Sequence, residues 1–267
     1  MLIMTCCVDC FLQILSRYSV VVVLEVVDKD DDAMNILLDE LNSNGKTLLH
    51  LCVSICVREN EVTLVDQYQY EDDQAGDEDA FAREPFILHF NCSTAVVKDM
   101  VLIPVHTKPQ DAWKELDELH DVVEFIKERW GIKNIIILGD FNADGRYLSK
   151  KEKKMIRICS PCYHWLIDDD VDTTASNSND HTYDRIVVYG KTMLNGTVPK
   201  SAKPFNFQRA FRLSKKNALR ISDHYPVEVE LKTQKKGNDP LYCAFTLSLL
   251  SPPSLCVFLQ PHMHLNL

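Results

Sequence analysis

Short apolar, β-branched runs recur along this chain, and polar residues of a restricted kind stand where they end. Val20-Val21-Val22-Val23-Leu24 is followed by Glu25, Val101–Val105 by His106, and Ile135–Gly139 by Asp140 and Asn142. Asp184 precedes Arg185–Tyr189, and Asp223-His224 precedes Tyr225-Pro226-Val227. Continuous apolar runs read as buried strands, and active sites collect where the strands of one sheet edge end. A lone Asp or His at a strand end is ordinarily a cap or a satisfied loop residue. The same few residue types at several such ends, two of them histidines, point to one shared edge.

The pattern between these runs predicts helices over Phe11–Tyr18, Ala33–Asn42, Asp111–Trp130 and Lys150–Ile158, and a short one near Asn217–Leu219. Trp113, Leu116, Leu119, Val123, Ile126 and Trp130 share one face of the Asp111–Trp130 segment. Further strands are predicted at Thr47–Val57, Glu61–Tyr70, Pro85–Phe90, Met100–Val105, Asn134–Leu138, His164–Ile167, Arg185–Tyr189 and Pro226–Leu231. The acidic run Glu71–Asp79 and the polar stretch Asp168–His181 read as loops. Long apolar strands mixed with helices imply an α/β fold of stacked sheets covered by helices. After Lys232 the pattern decays. Lys235–Pro240 reads as a linker, and 233–267 is expected to form a disordered tail outside a single domain over 1–232.

A chain of 267 residues is long enough to bury a large core without disulfides. Its net charge is −10, from 39 acidic and 29 basic residues. Holding nucleic acid by charge alone calls for a basic surface, so a structural DNA binder is disfavoured. A carboxylate cluster that holds a cation against a phosphate is not. The ten cysteines show no order: Cys159-Ser160-Pro161-Cys162 lacks a second pair at zinc spacing and reads as incidental thiols in a helix–strand connection. Sequons stand at Asn91 and Asn195. The first fifteen residues carry Asp9 and no basic region, which makes a poor signal peptide. The tail run Leu241–Leu259 is broken by Pro252 and Pro253, so no membrane span is expected.

The polar set suits phosphodiester hydrolysis. Water must attack phosphorus in line, a base must take its proton, and the charge on the phosphoryl oxygens and the leaving alkoxide must be offset. Mg²⁺ and Ca²⁺ prefer carboxylate and amide oxygens, and a histidine oriented by a carboxylate titrates near neutrality. Asp223 is adjacent to His224 and cannot be that partner by adjacency alone. Asp184 or Asp140 could orient either histidine, and the sequence leaves the choice open.

At these same residues the chain resembles the deoxyribonuclease I family of the endonuclease/exonuclease/phosphatase superfamily. The motifs are "VVLEVVD" around Glu25, "FAREPF" at Phe81–Phe86, "VLIPVHTKP" around His106, "ILGDFNADG" around Asp140, "HTYDRIVV" around Asp184 and "ISDHYPVEVEL" around His224. They keep family order over about Phe11 to Lys232. GDFN, YDRI and SDHYP mark the superfamily, whereas AREP and "PKSAKPFNFQ" mark the deoxyribonuclease I branch. The resemblance implies a four-layer sandwich of two mixed β-sheets flanked by helices, double-stranded DNA as substrate, and Mg²⁺ and Ca²⁺ as ions; a monomer is expected. It makes His106 the general acid and His224 the general base, paired with Asp184 or a nearby aspartate. Asp140 and Asn142 become phosphate- and metal-contacting positions, Glu25 and Asp223 metal ligands, and Arg83 an arginine near the phosphate path. The Asp172–Ser178 loop, with Thr174 and Ser176, becomes a structural calcium loop.

The departures carry equal weight. The family's first strand, with a metal-holding asparagine, has no counterpart upstream of Glu25, so a sheet neighbour is expected to be exposed. The glutamate that supports the acid histidine falls on Leu51, and a family arginine falls on Val27. The family disulfide positions fall near Gly145 and His181. Loss of an orienting group costs on the order of 10²–10⁴ in rate. An impaired, truncated member that only binds DNA or a protein therefore stands beside the working endonuclease. A third reading keeps the fold and changes the substrate to an abasic site, an inositol phosphate or sphingomyelin.

Overall fold

In a computed structural model of the chain, describing residues 10–24, 47–50, 54–58, 60–72, 80–176, 180–234 and 241–248, the apolar runs form two six-stranded sheets. The first has the order β10 (Lys203–Pro204), β11 (Val227–Leu231), β12 (Leu241–Ser248), β1 (Val20–Leu24), β3 (Ser54–Val57) and β2 (Thr47–His50). The second has the order β4 (Val62–Gln69), β5 (Phe86–Cys92), β6 (Asp99–His106), β7 (Ile135–Asp140), β9 (Asp184–Tyr189) and β8 (Tyr163–Trp165). Both are mixed: β1 runs parallel to β12 and antiparallel to β3, and β7 runs parallel to β6 and antiparallel to β9.

Alternation along each strand divides the apolar side chains among three layers. Val20, Val22, Leu24, Val227 and Val229 meet Phe86, Leu88, Phe90, Ile136, Leu138, Ile186 and Val188 between the sheets. Val21 and Val23 turn outward and pack with Phe11, Ile14 and Leu15 from a helix over 10–16 (α1), with Tyr18 just after it, and with Phe207, Ile221 and Tyr225. On the far side Val101, Ile103, Ile135 and Ile137 pack beneath α2 (Ala112–Trp130) through Leu116, Leu119, Val123 and Ile126. The result is a four-layer sandwich, as the resemblance implied. Gly131 stops α2 in the left-handed conformation at φ 70, where glycine alone carries no Cβ penalty.

Several boundaries differ from the sequence reading. Thr47–Val57 is not one strand: β2 and β3 fold back on each other, pairing Thr47 with Val57 and His50 with Ser54. The run contains no Gly, Pro, Asn or Asp to announce a turn. Lys150–Ile158 splits into α3 (Lys150–Lys153), closed by a Ser149–Glu152 capping box, and a 3₁₀ turn at Arg157–Cys159. Arg157 draws the chain toward α2 through Asp117, Glu118 and Asp121, which places an extended Ile156 between the two turns. Short helices α4 (Gly190–Gly196), α5 (Phe207–Ala210) and α6 (Lys215–Ala218) complete the described part, and the first two lie where no period was visible. The expected helix Ala33–Asn42 and the acidic loop from 73 to 79 lie outside the described residues.

The largest departure is at the C-terminus. Residues 241–248 were expected outside the domain, yet β12 lies inside the first sheet, antiparallel to β11 and parallel to β1. The strand β1 is therefore paired on both sides, not exposed by a missing neighbour. The register sets positions 243 and 245 in the rows of Val20 and Val22 on one side and of Val229 and Val227 on the other.

Candidate active site

Strands β6, β7 and β9 are adjacent, and their pairing sets three of the expected residues in one row: His106 opposite Asp140, and Asp140 opposite Asp184. This row needs β6 and β7 close together. Gly139, at φ +136, allows it, because a Cβ there would lie 1.9 Å from the Val105 carbonyl oxygen. From the other sheet, the turn before β11 brings His224 to the same row. Its Nδ1 stands 2.7 Å from Oδ2 of Asp184, which is fully buried. Donor atoms of Asp140, Asp184 and His224 all lie within 4.8 Å of one another.

The loop after β7 is fixed by its own polar groups. Asn142 adopts a positive φ of 46, where Asn is among the few residues tolerated. Its N–H donates to Asp140 Oδ1 at 2.9 Å, and its side-chain amide donates to the Thr107 carbonyl at 3.0 Å. The amide oxygen of Asn142 is left as the group able to accept or ligate. Arg83 is exposed and donates to the His106 carbonyl at 3.4 Å, which places this cation at the mouth of the site.

The electrostatics of the two histidines are opposite. Burial pushes His106 down to about 4, helped by the positive charges of Arg83 and His224 and opposed by Asp184. Burial also works against the charged form of His224, but the charge and hydrogen bond of Asp184, then Asp140 and Asp223, push it up to about 10. At neutral pH the site therefore holds one imidazolium, His224, and one neutral imidazole, His106.

Among the described residues, the acidic and imidazole groups placed to share a cation are Asp140, Asp184 and His224. Asp184 was expected to orient a histidine; it also has a buried Oδ1 with no hydrogen-bond partner. An orphaned carboxylate oxygen is costly unless something positive meets it. Two carboxylates with Asn142 offer the hard oxygen donors that Mg²⁺ or Ca²⁺ prefers, so these residues fit such an ion. Asp223, expected as a ligand, is not in this cluster and reaches His224 through its charge. Glu25, Leu51 and Val27 lie outside the described residues.

The loop read as a calcium site has a visible structural task. Asp172 Oδ1 accepts from the Thr174 N–H (2.9 Å), the Thr174 hydroxyl (2.7 Å) and the His181 N–H (3.4 Å). The loop then clamps the His224 turn: Ala175 N–H donates to the Asp223 carbonyl at 2.6 Å, Tyr225 N–H donates to the Thr173 carbonyl at 2.7 Å, and Thr174 bridges to His224. Ser176 is half-buried at its end. The positions matched to the family disulfide do meet, without a covalent bond. A Cβ on Gly145 would lie 3.0 Å from the His181 ring, and His181 Nδ1 is 3.4 Å from Asp144 Oδ2.

Three supporting residues escaped the sequence reading. Glu115, buried in the first turn of α2, accepts the Lys108 N–H at 2.9 Å and so ties down the chain that leaves His106. Tyr183 is stacked between His181 and His224, at centroid distances of 4.9 and 6.1 Å. Arg185, 1 % exposed, donates to the carbonyls of Thr182, Ile167 and Ala143 and to Asp169. The HTYDR motif held the last two in plain view, but nothing in spacing separates a buried guanidinium from a surface one.

A sequence profile of the Endonuclease/Exonuclease/phosphatase family matches residues 5–224. The chain belongs to this family. Within it, the sequence is 42 % identical over 236 residues to deoxyribonuclease-1 from Canis lupus familiaris, covering 82 % of each chain. It is 37 % identical over 243 residues to deoxyribonuclease gamma from Homo sapiens, covering 85 % of this chain and 80 % of that one. These identities set it among the deoxyribonuclease I-like members. The fold is shared far beyond them. A functionally unknown conserved protein from Enterococcus faecalis superposes with a TM-score of 0.53 at 12 % identity, over 80 % of this chain and all of that one.

Proposed function

We propose that this chain is a divalent-cation-dependent endonuclease that hydrolyses phosphodiester bonds of double-stranded DNA. The observation that carries the reading is the meeting of His106 and His224, more than a hundred residues apart, around the paired carboxylates Asp140 and Asp184. The deoxyribonuclease relatives supply the substrate class.

Hydrolysis by an acid–base pair needs one group ready to take a proton from water and one ready to give a proton to the leaving oxygen. A pair with one neutral and one charged imidazole holds that complement. The family resemblance makes His224 the base and His106 the acid, whereas the carboxylates around His224 by themselves favour a proton there. The carboxylates that raise His224 are also the groups that would hold the ion. Asp140, Asp184 and Asn142, with Glu25 by resemblance, would hold Mg²⁺ or Ca²⁺, whose bound charge would offset the phosphoryl oxygens and favour a neutral His224. Asp184 keeps the His224 ring in one orientation, Arg83 meets phosphate at the mouth, and Glu115 steadies the chain beyond His106.

A plasmid-nicking assay with Mg²⁺ plus Ca²⁺ tests the reading. The chain should convert supercoiled to relaxed and linear DNA, and His106→Ala or His224→Ala should lower the rate by on the order of 10²–10⁴. Wild-type activity in both variants, or hydrolysis confined to abasic, inositol-phosphate or sphingomyelin substrates, would overturn it. A rate far below that of a deoxyribonuclease relative would bear out the weaker activity expected from Leu51.

A further inference from the structure

Between Asp184 and Asp223 the sequence holds nine lysines and arginines and no aspartate or glutamate, in a chain whose net charge is −10. Surfaces that only need solubility intersperse the two signs. A long acid-free segment in an acidic protein marks a surface facing something anionic. Most of this charge is presented by α5, α6 and the turns beside them. Lys203, Arg209, Arg212 and Lys216 are exposed, and Lys215 and Arg220 are half-buried. Arg212 holds the corner between the two helices at a positive φ of 53.

This basic face is fastened to the catalytic turn. Phe207 packs edge-on against Tyr225 at 5.1 Å, and the Tyr225 hydroxyl donates to Gln208 at 3.1 Å. Phe205 N–H donates to the Pro226 carbonyl at 2.7 Å, and Ser222 N–H donates to the Ala218 carbonyl at 3.1 Å. Each contact lies within three residues of His224. Acidic groups at its margins are Glu228, which meets Lys203 at 3.7 Å from beneath, and Asp223 and Asp172 toward the site.

We propose that α5, α6 and their turns form an accessory contact surface for the sugar–phosphate backbone of duplex flanking the cleaved bond. The proposal rests on the DNA reading above. Duplex DNA carries one charge per roughly 1.7 Å of axis, so a substrate with one phosphate at His224 carries further phosphates on either side of it for a flanking basic face to meet. The acidic cluster would hold an ion against the scissile group, and the separate basic face supplies affinity that the net charge denies. Its occupant carries no sequence information, so the surface raises affinity without selecting bases.

The test separates affinity from chemistry. Wild-type chain and the Arg212→Glu/Lys215→Glu/Lys216→Glu variant are compared for binding a fluorescent 40-base-pair duplex in Ca²⁺ over a salt series. Plasmid nicking is then measured for KM and kcat. The variant should bind on the order of tenfold more weakly at 0.15 M salt and lose about three from the slope of log affinity against log salt. Its KM should rise while kcat stays within about twofold, since no substituted residue touches the reacting phosphate. The neutral Gln triple variant should fall between, which separates lost attraction from added repulsion. Unchanged affinity and slope in folded variants would overturn the proposal. So would loss of binding to phosphatidylserine vesicles with duplex binding intact, which would give the surface to a membrane. Failure of wild-type nicking with tight, salt-dependent duplex binding that the variant loses would sink the nuclease reading and leave this surface standing.

Discussion

Nδ1 of His224, in the turn before β11 of one sheet, lies 2.7 Å from Oδ2 of a fully buried Asp184 on β9 of the other, so two residues forty apart in sequence form one unit. Asp184→Asn keeps the shape and removes the charge. His224 should then fall from about 10 toward or below its ordinary 6.5, because burial now acts unopposed by Asp184. Nicking should drop by on the order of 10²–10⁴. Titration of the His224 ring by NMR, beside the rate, checks both. A titration curve that does not move would show that Asp184 does not govern this histidine.

The same two histidines give the ion-free chain an optimum of stability in pH. His224 is raised, so its contribution is complete below 6.5 and is lost as pH climbs through about 10. His106 is lowered to about 4, so its contribution is present above 6.5 and is lost as pH falls through about 4. Thermal unfolding in EDTA should therefore peak near pH 6–7. His224→Gln should flatten the alkaline side and His106→Gln the acidic side. Parallel curves for wild type and both variants would contradict the assignment.

Divalent cations should stabilise the fold through the unsatisfied Oδ1 of Asp184 and its neighbour Asp140. Binding to the folded state alone gives about 2.7 kcal/mol at a hundred times Kd, a shift of several degrees in Tm. Asp140→Asn should abolish most of the Mg²⁺-dependent shift. Ca²⁺ held only at the Asp172 loop would instead survive that substitution and vanish in Asp172→Ala.

Removal of residues beyond Lys232 tests the C-terminal strand. Without β12, β1 and β11 each lose a partner in the middle of the first sheet. Stability should fall by several kcal/mol, enough to unfold a marginally stable domain. Ala244→Pro, which removes one N–H and imposes its own φ in a strand paired on both sides, should destabilise in the same direction. Circular dichroism and thermal melts would show it. A truncated chain with unchanged Tm would return these residues to a tail.

The strand-end residues were legible because their chemistry is sparse and their neighbours are uniformly apolar. His106, Asp140, Asp184 and His224 could be picked out of the sequence, and the sandwich followed from runs such as Ile135–Leu138. Pairing was not legible. That Asp184, not Asp140, stands against His224 depends on strand register between β7 and β9 and on a turn from another sheet. The strand β12 was missed because Leu241–Ser248 lacks a clear period of two, and a strand in a sheet covered on both faces needs none. The accessory basic face was hidden by the net charge, which averages an acidic whole over a segment with no acid at all.

Arg185 shows how far the site depends on a residue that touches no reacting atom. Its guanidinium, 1 % exposed, donates to Thr182 O at 2.8 Å, Ile167 O at 3.1 Å, Ala143 O at 3.2 Å and Asp169 Oδ1 at 2.8 Å. Ala143 follows Asn142, and Thr182 lies two residues before Asp184, so one planar fork fixes both loops that frame the carboxylates. Lysine offers a compact ammonium in place of the fork and cannot meet all four acceptors. Arg185→Met should cost about 3–5 kcal/mol, because three buried carbonyl acceptors lose their donor. Arg185→Lys should fold better than the Met variant, yet nick DNA far more slowly than its stability suggests, since a displacement of about 1 Å at the carboxylates can cost on the order of a hundredfold. Tm and kcat measured together decide the matter. A Lys variant with wild-type kcat would mean that the loops hold their places without the fork.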